Sequence, residues 1–294
     1  MKRKTYYVRF LIGLIVCMLF LPGASEASKL KPQTLKAFKH YVAVTEERLS
    51  REQKDGLGFL WVDRLPEKER MAALAKCQRG VAVVERLETR ENGAAIEVPD
   101  GMVHHWVATI FVRGVTLRET LERLQDYDNY ENVYKPDVQK TRLLSRDGKQ
   151  FRVAMRLYRK TIVTAVYNAE FSVGYMPLDQ RRAFSRALTE RIAEVENAGK
   201  PGEKEKPRDE GAGYLWRLNT YGRYEERDGG VYIELETVAL SRSVPAILAW
   251  LVNPYVRSIP REYLSRTLAQ TREMLRKEKS EELNNQEAKR GTSM

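Results

Sequence analysis

Three short turn sequences divide the chain into pairs of alternating segments, and they constrain its fold more than any other feature. The turns are Asn92-Gly93, Asp147-Gly148 and Asp228-Gly229-Gly230. Asn, Asp and Gly tolerate the positive φ angles that tight hairpin turns require. After the second turn, bulky apolar residues occupy every second position from Phe151 to Leu157, which is the period of a half-buried strand. The pattern predicts an antiparallel sheet with one apolar face.

The same periodicities assign the other segments. Strands are predicted at 81–90, 94–98, 102–113, 138–146, 150–160, 163–176, 214–224 and 231–240. Helices are predicted at 32–56, 66–80 and 117–134, and a long amphipathic helix is predicted from Pro245 onward. Residues 181–196 fit a helix or a strand, and the local pattern slightly favours the helix. The charged, glycine-rich stretch 197–213 is typical of a mobile surface loop.

The composition and the N-terminus indicate an exported globular protein. Of the 294 residues, 43% are hydrophobic and 31% charged, which excludes a polytopic membrane protein and a disordered chain. Residues 1–27 resemble a secretory signal peptide, with a basic start, an apolar run from Phe10 to Leu21, and small residues at Ser25 and Ala27. This apolar run of 12 residues is shorter than the roughly 20 that a spanning helix needs, which favours a signal peptide; an uncleaved N-terminal membrane anchor is the alternative. We expect cleavage after Ala27 and a periplasmic or secreted protein.

Several segments carry a resemblance to a known superfamily. They are His104-His105-Trp106, Gln125–Tyr130, Tyr134–Val138, Arg191–Val195, Tyr214–Leu218, Glu225–Tyr232 and Leu240–Pro245. With the order of elements, they make residues 101–276 similar to the START-like, polyketide-cyclase-like helix-grip superfamily (SRPBCC), and most of all to its exported bacterial members. The resemblance implies an α+β fold in which a curved antiparallel sheet of about seven strands wraps around the long C-terminal helix. It also implies that 181–196 is a strand.

Further expectations follow from that resemblance. Residues 28–100 would form a small α+β extension before the helix-grip domain, and residues 277–294 a polar tail. Most members of the superfamily bind or carry lipids, sterols or polyketides, and they share no catalytic triad. The family therefore implies a cavity for a hydrophobic ligand between the sheet and the C-terminal helix.

The inward-facing side chains of the predicted strands and helix are the candidate ligand contacts. The candidate lining residues are His104, Trp106, Ile110, Phe151, Val153, Met155, Leu157, Tyr167, Phe171, Trp216, Leu218, Trp250 and Tyr255. The candidate residues at the cavity mouth are Asp126, Tyr127, Asp128, Tyr130 and Tyr134. The alternative is a filled core, in which the rings pack on each other. His104 is interpreted as a hydrogen-bonded core histidine, with a polar anchor for a ligand as the alternative.

Other chemistry finds little support in the residues. His104 and His105 point to opposite faces of one strand and cannot grip one ion, so no metal and no cofactor are expected. Glu234 and Glu236 are predicted to lie on a solvated outer face paired with Arg, rather than to act as an acid–base pair. Cys77, left alone after cleavage, is predicted to be a buried, inert thiol.

One strand pair carries a basic outer face. It consists of Lys140, Arg142, Arg152 and Arg156. In an exported protein, an anionic membrane surface or an acidic glycan is a more accessible partner for this face than nucleic acid, which is not expected.

Three functional hypotheses remain open at this stage. The leading one is an exported binding protein that holds a hydrophobic small molecule or lipid. The second is a cyclase or aromatase-like enzyme acting on a polyketide-like substrate, which a polar cluster deep in the cavity would favour. The third is a cell-envelope interaction module without a ligand, which a collapsed core would favour.

Overall fold

The computed structural model describes residues 28–54, 58–160, 164–243, 259–277 and 279. The predicted signal peptide, Trp250, Tyr255 and nearly all of the predicted tail lie outside these residues. The helices are α1 (Pro32–Glu52), α2 (Glu67–Gln78), α3 (Leu117–Leu124), α4 (Tyr130–Val133) and α5 (259–277). No helix in the described ranges is long and apolar enough to cross a membrane.

Most of the strands belong to one antiparallel sheet. The strands are β1 (Ser28–Lys29), β2 (Val83–Arg86), β3 (Arg90–Glu91), β4 (Ala94–Ala95), β5 (Gly101–Arg113), β6 (Val138–Asp147), β7 (Gln150–Lys160), β8 (Thr164–Pro177), β9 (Arg182–Glu196), β10 (Lys204–Glu205), β11 (Glu210–Gly211), β12 (Arg217–Arg227) and β13 (Gly230–Arg242). The order in the nine-stranded sheet is β2-β5-β13-β12-β9-β8-β7-β6, with β10 paired to β9. The sheet is not closed, since β2 and β6 are its edges. The seven strands expected for the helix-grip domain are present, and β2 and β10 extend them.

Helix α5 packs on one face of this sheet. Leu264, Leu268 and Leu275 recur at helical spacing and are buried. They share an apolar cluster with Ile110 of β5 and Ile233 of β13. The predicted helix-grip architecture, a sheet holding a C-terminal helix, is confirmed. We call the face that holds α5 the inner face and the opposite one the outer face.

The N-terminal extension covers the outer face. Phe38 and Tyr41 of α1 pack in one cluster with Tyr221 of β12. Cys77 of α2 packs in another with Phe111 of β5, and its buried Sγ donates to the carbonyl oxygen of Thr109 at 3.4 Å. Cys77 is buried, as predicted, and burial raises the pKa of its thiol to about 12, which disfavours the reactive thiolate. The sheet is therefore buried on both faces where the extension packs against β5, β12 and β13, whereas the outer face of β6 and β7 stays exposed.

A charged network lies inside the layer between α1 and the sheet, and it corrects the expectation of a solvated pair. Glu234 and Glu236 do point away from the inner face and do pair with Arg, but both are 0% exposed because the extension covers them. The Arg223 guanidinium, 1% exposed, donates to Glu234 at 2.8 Å and to Glu236 at 3.0 Å. Its third partner is Glu52 of α1 at 2.8 Å. A face that alternation assigns to the outside is solvated only if no other part of the chain covers it.

The network continues through His105 and Arg48. His105 Nε2 lies 2.7 Å from Glu236, and its Nδ1 lies 2.9 Å from the hydroxyl of Tyr41. Arg48 contacts both Glu52 and Glu236. Each buried charge therefore has an opposite partner, which offsets the cost of removing it from water.

Several other segments differ in detail from the sequence pattern, and among them the predicted strand 81–90 is divided into β2 and β3. The segment 181–196 is a strand, as the resemblance implied and against the local helical signal. The predicted helix 117–134 is divided into α3, a short 3₁₀ turn at Tyr127–Asn129, and α4. The stretch 197–213 contains β10 and β11, and ion pairs such as Lys206–Glu194 and Arg156–Glu203 attach it to the sheet.

The pKa values of Glu236 and Glu234 are shifted in opposite directions, so the two residues are expected to affect the unfolding free energy in acid differently. Although burial alone raises the pKa of Glu236, the hydrogen bond from His105 and the charges of Arg48 and Arg223 hold it at about 2. Its stabilising contribution is therefore complete above its ordinary pKa of 4.5 and is lost as the pH falls toward 2. We expect Glu236→Gln to flatten the decline in unfolding free energy over that range, measured by urea denaturation.

Glu234→Gln is the matched control for this experiment. Burial raises the pKa of the Glu234 carboxyl, so this group does not cause the loss of stability at low pH. The slope of stability against pH in this variant should remain that of the parent below pH 4.5. Equal slopes in the parent and both variants would contradict the assignment of the acid response to Glu236.

Candidate ligand-binding cavity

A cavity of about 160 Å³ lies between the inner face and α5. Its wall is largely apolar, since alternate residues of β7, β8, β9, β12 and β13 point into it. The apolar lining residues are Leu124, Val138, Met155, Leu157, Phe171, Val173, Ala187, Leu218, Ile233 and Leu235. The core is therefore not completely filled, as the ligand-binding interpretation requires.

A tyrosine cluster forms one wall of the cavity. The hydroxyls of Tyr130 and Tyr175 donate to the carbonyl oxygen of Leu124 at 2.6 and 3.0 Å. Tyr127 donates to the hydroxyl of Tyr175 at 3.1 Å. Burial raises the pKa of all three hydroxyls. These groups remain protonated, and their protons are already bonded within the protein.

A second hydroxyl pair joins α4 to α5. Thr271 donates to the backbone carbonyl of Thr267 at 2.9 Å, so its oxygen is the acceptor for the hydroxyl of Tyr134 at 3.0 Å. Tyr134 is thus a structural contact that fixes α5 over the cavity.

The third polar group is a pair on the sheet itself. Ser185 Oγ of β9 and Tyr224 Oη of β12 lie 2.9 Å apart. Ser185 is opposite Gly222 in the strand register, and the Tyr224 ring lies back over that glycine. A Cβ at position 222 would lie 2.5 Å from Ser185 Oγ and closer still to Tyr224 Oη. The missing side chain therefore permits this pair, and burial raises the pKa of Tyr224 to about 12.

Asp137 is the carboxylate among the lining residues, and it is already paired. Arg266 donates to its two oxygens at 2.6 and 2.8 Å, and Arg159 donates to it at 3.1 Å. Neither guanidinium lines the cavity. Asp137 thus fastens the start of β6 to α5, and its charge is compensated.

The predicted contact residues divide into several groups in the structure. Those that line the cavity are Met155, Leu157, Phe171, Leu218, Tyr127, Tyr130 and Tyr134. Phe151, Val153 and Tyr167 belong to the apolar cluster around it. Trp106 and Ile110 belong to the apolar cluster that contains Leu264 of α5. Trp216 belongs to the cluster of Phe38 and Tyr221, which we call the α1 cluster. Asp126 and Asp128 do not line the cavity, and Asp128 accepts from the backbone N–H of Leu143 at 3.2 Å.

His104 also lies away from the cavity lining. Its Nε2 is 2.9 Å from Ser241 Oγ, and burial together with the charge of Arg86 lowers the pKa of the imidazole to about 4. This environment is that of a hydrogen-bonded core histidine. Within the described ranges, no group of three or more His, Cys, Asp or Glu side chains is placed to hold a metal ion.

Several lining residues were not predicted from the sequence. They include Tyr175, Ser185, Thr220, Tyr224, Thr267 and Thr271. The alternation in β12 places Tyr224 on the same face as the predicted Leu218, so that signal was available. Ser185 lies in the segment whose local pattern favoured a helix, which hid its orientation.

Two residues of the predicted basic face are ion-paired. Arg152 contacts Glu170 and Glu190, and Arg156 contacts Glu203. These carboxylates reduce the net positive charge of the face formed with Lys140 and Arg142. Contact with an anionic membrane through this face stays a prediction.

Comparison with known proteins gives likeness in structure alone. No family model matches the chain, and no curated protein matches it. The structure is similar to a STAR-related lipid transfer protein from Xanthomonas axonopodis (15% identity, TM-score 0.42, 62% of this chain and 97% of that one). It is also similar to the Zhui aromatase/cyclase from Streptomyces sp. R1128 (11% identity, TM-score 0.41, 60% of this chain and 94% of that one). Human STARD10 is a further similar structure (10% identity, TM-score 0.42, 75% of this chain and 85% of that one). The helix-grip architecture follows from the strand order and from the packing of α5 on the inner face.

The close approach at Gly222 makes a testable prediction about this wall. Gly222→Ala should force Tyr224 and Ser185 apart and destabilise the fold by about 1–3 kcal/mol, as overpacking does. Gly174→Ala is the matched control, because a Cβ in that strand would meet the side-chain amide of Gln150, which can move. We expect the control to change the unfolding free energy by less than about 1 kcal/mol. Equal losses in urea denaturation would contradict the packing described for Tyr224.

Proposed function

We propose that this protein is an exported binding protein that holds a small hydrophobic molecule in the cavity between the sheet and α5. The observation that carries the proposal is the cavity itself, apolar along most of its wall and bounded by a face of the sheet that is otherwise well packed. A dry apolar cavity of about 150 Å³ is large enough to bind benzene. The volume of about 160 Å³ therefore favours a molecule of about one ring over a complete lipid.

The same geometry favours binding over turnover. Proton transfer needs an acid or base whose proton is available to the substrate. The hydroxyls of the tyrosine cluster donate to Leu124 and to each other, and the Asp137 carboxylate is held by two arginines. Among the described lining residues there is no histidine. The tyrosine cluster that would favour a cyclase is present, but its protons are committed to the protein. The Ser185–Tyr224 pair can donate a hydrogen bond, but burial raises the pKa of Tyr224 to about 12, which makes it a poor acid at neutral pH.

The cavity also weighs against an interaction module with a collapsed core. Protein interiors are packed to the density of organic crystals, and empty space in them removes dispersion contacts. Space with ten apolar side chains along its wall lacks the contacts that a bound ligand would supply. A binding role gives a reason for this arrangement.

Binding of ethylbenzene tests the proposal directly. We expect isothermal titration calorimetry to detect one molecule bound per chain, and we expect Ala187→Phe to abolish the signal by filling the cavity. Leu188→Phe is the matched control, because the neighbouring side chain points to the outer face and packs in the α1 cluster. Absence of binding to the parent protein, or equal loss in both folded variants, would contradict the proposal.

Export is supported by the N-terminal pattern of residues 1–27. N-terminal sequencing of the protein recovered from its host's envelope or medium should begin at Ser28. A chain that retains residues 1–27 in the membrane fraction would support the anchored alternative. Recovery in the cytosol with an intact N-terminus would contradict export.

A further inference from the structure

The Ser185–Tyr224 pair has one more hydroxyl proton than the protein uses. Each hydroxyl carries one proton, and the contact between the two oxygens consumes one of the two. Whichever residue donates, the proton of the other has no acceptor among the described residues. Ser185 is 7% exposed and Tyr224 is 3% exposed, so water is largely excluded from both. A buried donor without an acceptor is costly, which indicates that a further acceptor belongs here.

The surroundings place that acceptor inside the cavity. Both residues line it, and they meet over Gly222, whose missing side chain leaves room for the two hydroxyls at the cavity wall. Thr220, Tyr263 and Thr267 also line the cavity, but they are partly exposed, so their hydroxyls can bond to water. The tyrosine cluster has no donor proton to offer, as described above. The Ser185–Tyr224 pair is therefore the buried donor that a ligand in this cavity would meet.

The charges around the cavity restrict the ligand further. None of the described lining residues is a lysine, arginine or histidine. Asp137 is negative, and the two arginines nearest to it are already bonded to its carboxylate. A carboxylate ligand would thus be desolvated without a cation and would lie near an anion, which is strongly unfavourable. A neutral acceptor such as a ketone, aldehyde or ester carbonyl carries no such cost.

We propose that the cavity selects neutral, single-ring molecules that carry a carbonyl oxygen, with the Ser185–Tyr224 pair donating one hydrogen bond to that oxygen. This inference rests on the proposed binding function and adds the chemical class of the ligand. It separates this cavity from a fatty-acid site, where a cation would be needed.

Three probes of nearly equal shape test the inference. They are acetophenone, which has a neutral carbonyl; 2-phenylpropene, in which a methylene group replaces the oxygen; and benzoate, which carries a charge. At neutral pH we expect acetophenone to bind about tenfold more tightly than 2-phenylpropene, the value of one net hydrogen bond. Benzoate should bind at least about a hundredfold more weakly than acetophenone. Titration calorimetry of the full mature chain measures all three.

The double variant Ser185→Ala with Tyr224→Phe identifies the donor. Both hydroxyls must be removed together, because either one alone can still donate to the ligand. We expect the double variant to bind acetophenone and 2-phenylpropene with nearly equal affinity. The control is Tyr221→Phe, which removes a hydroxyl from the outer face of the same strand, where it donates to Glu46 at 3.0 Å. This control should keep the tenfold preference.

The outcomes separate the inference from the function on which it rests. If none of the probes binds the parent protein, the proposed function is wrong. If 2-phenylpropene binds as tightly as acetophenone, or benzoate binds as tightly as either, the function stands and the ligand class is wrong. If the double variant is folded by circular dichroism and keeps the tenfold preference, the donor is not the Ser185–Tyr224 pair.

Discussion

The contact between Arg223 and its three carboxylates ties the two parts of the chain together. Glu234 and Glu236 come from the sheet, whereas Glu52 comes from α1. Removing one partner from a buried ion pair typically costs about 3–5 kcal/mol, because the remaining charge stays desolvated. The layer formed by α1 is thus required for the sheet to hold these charges, and it also covers the outer face of β12 and β13. The extension is part of the structural core of the protein.

That arrangement has a consequence for the inner face. The part of the sheet formed by β5, β13 and β12 is covered on both sides, so its strands cannot shift without disturbing two packed layers. Tyr221 and Tyr224 illustrate the division on one strand. The first points outward, packs beneath α1 and bonds to Glu46, while the second points inward and bonds to Ser185. A rigid outer layer therefore supports an inner face that leaves space for a ligand.

The sequence predicted the strands better than it predicted what covers them. The turns at Asp147-Gly148 and Asp228-Gly229 lie between β6 and β7 and between β12 and β13, because their φ angles are determined locally. Alternation likewise assigned Glu234 and Glu236 to the face opposite Ile233. It could not show that α1 and α2 would bury that face, since the partner residues lie more than a hundred positions away. The strand 181–196 followed from the family topology, because tertiary pairing with β8 and β12 overrides its local helical pattern.

The site was predicted least well, and the reason lies in the end of α3. The last carbonyl groups of a helix have no partner within the helix and must be satisfied from elsewhere. Leu124 ends α3, and its carbonyl receives the hydroxyls of Tyr130 and Tyr175. Tyr130, which the sequence placed at the cavity mouth, is thus bonded to a helix end together with Tyr175. The polar chemistry left for a ligand lies instead on Ser185 and Tyr224, which are joined only by the pairing of β9 with β12 across Gly222. A pair formed by strand register and by a missing side chain leaves no motif in the linear sequence, so only the folded structure brings it into view.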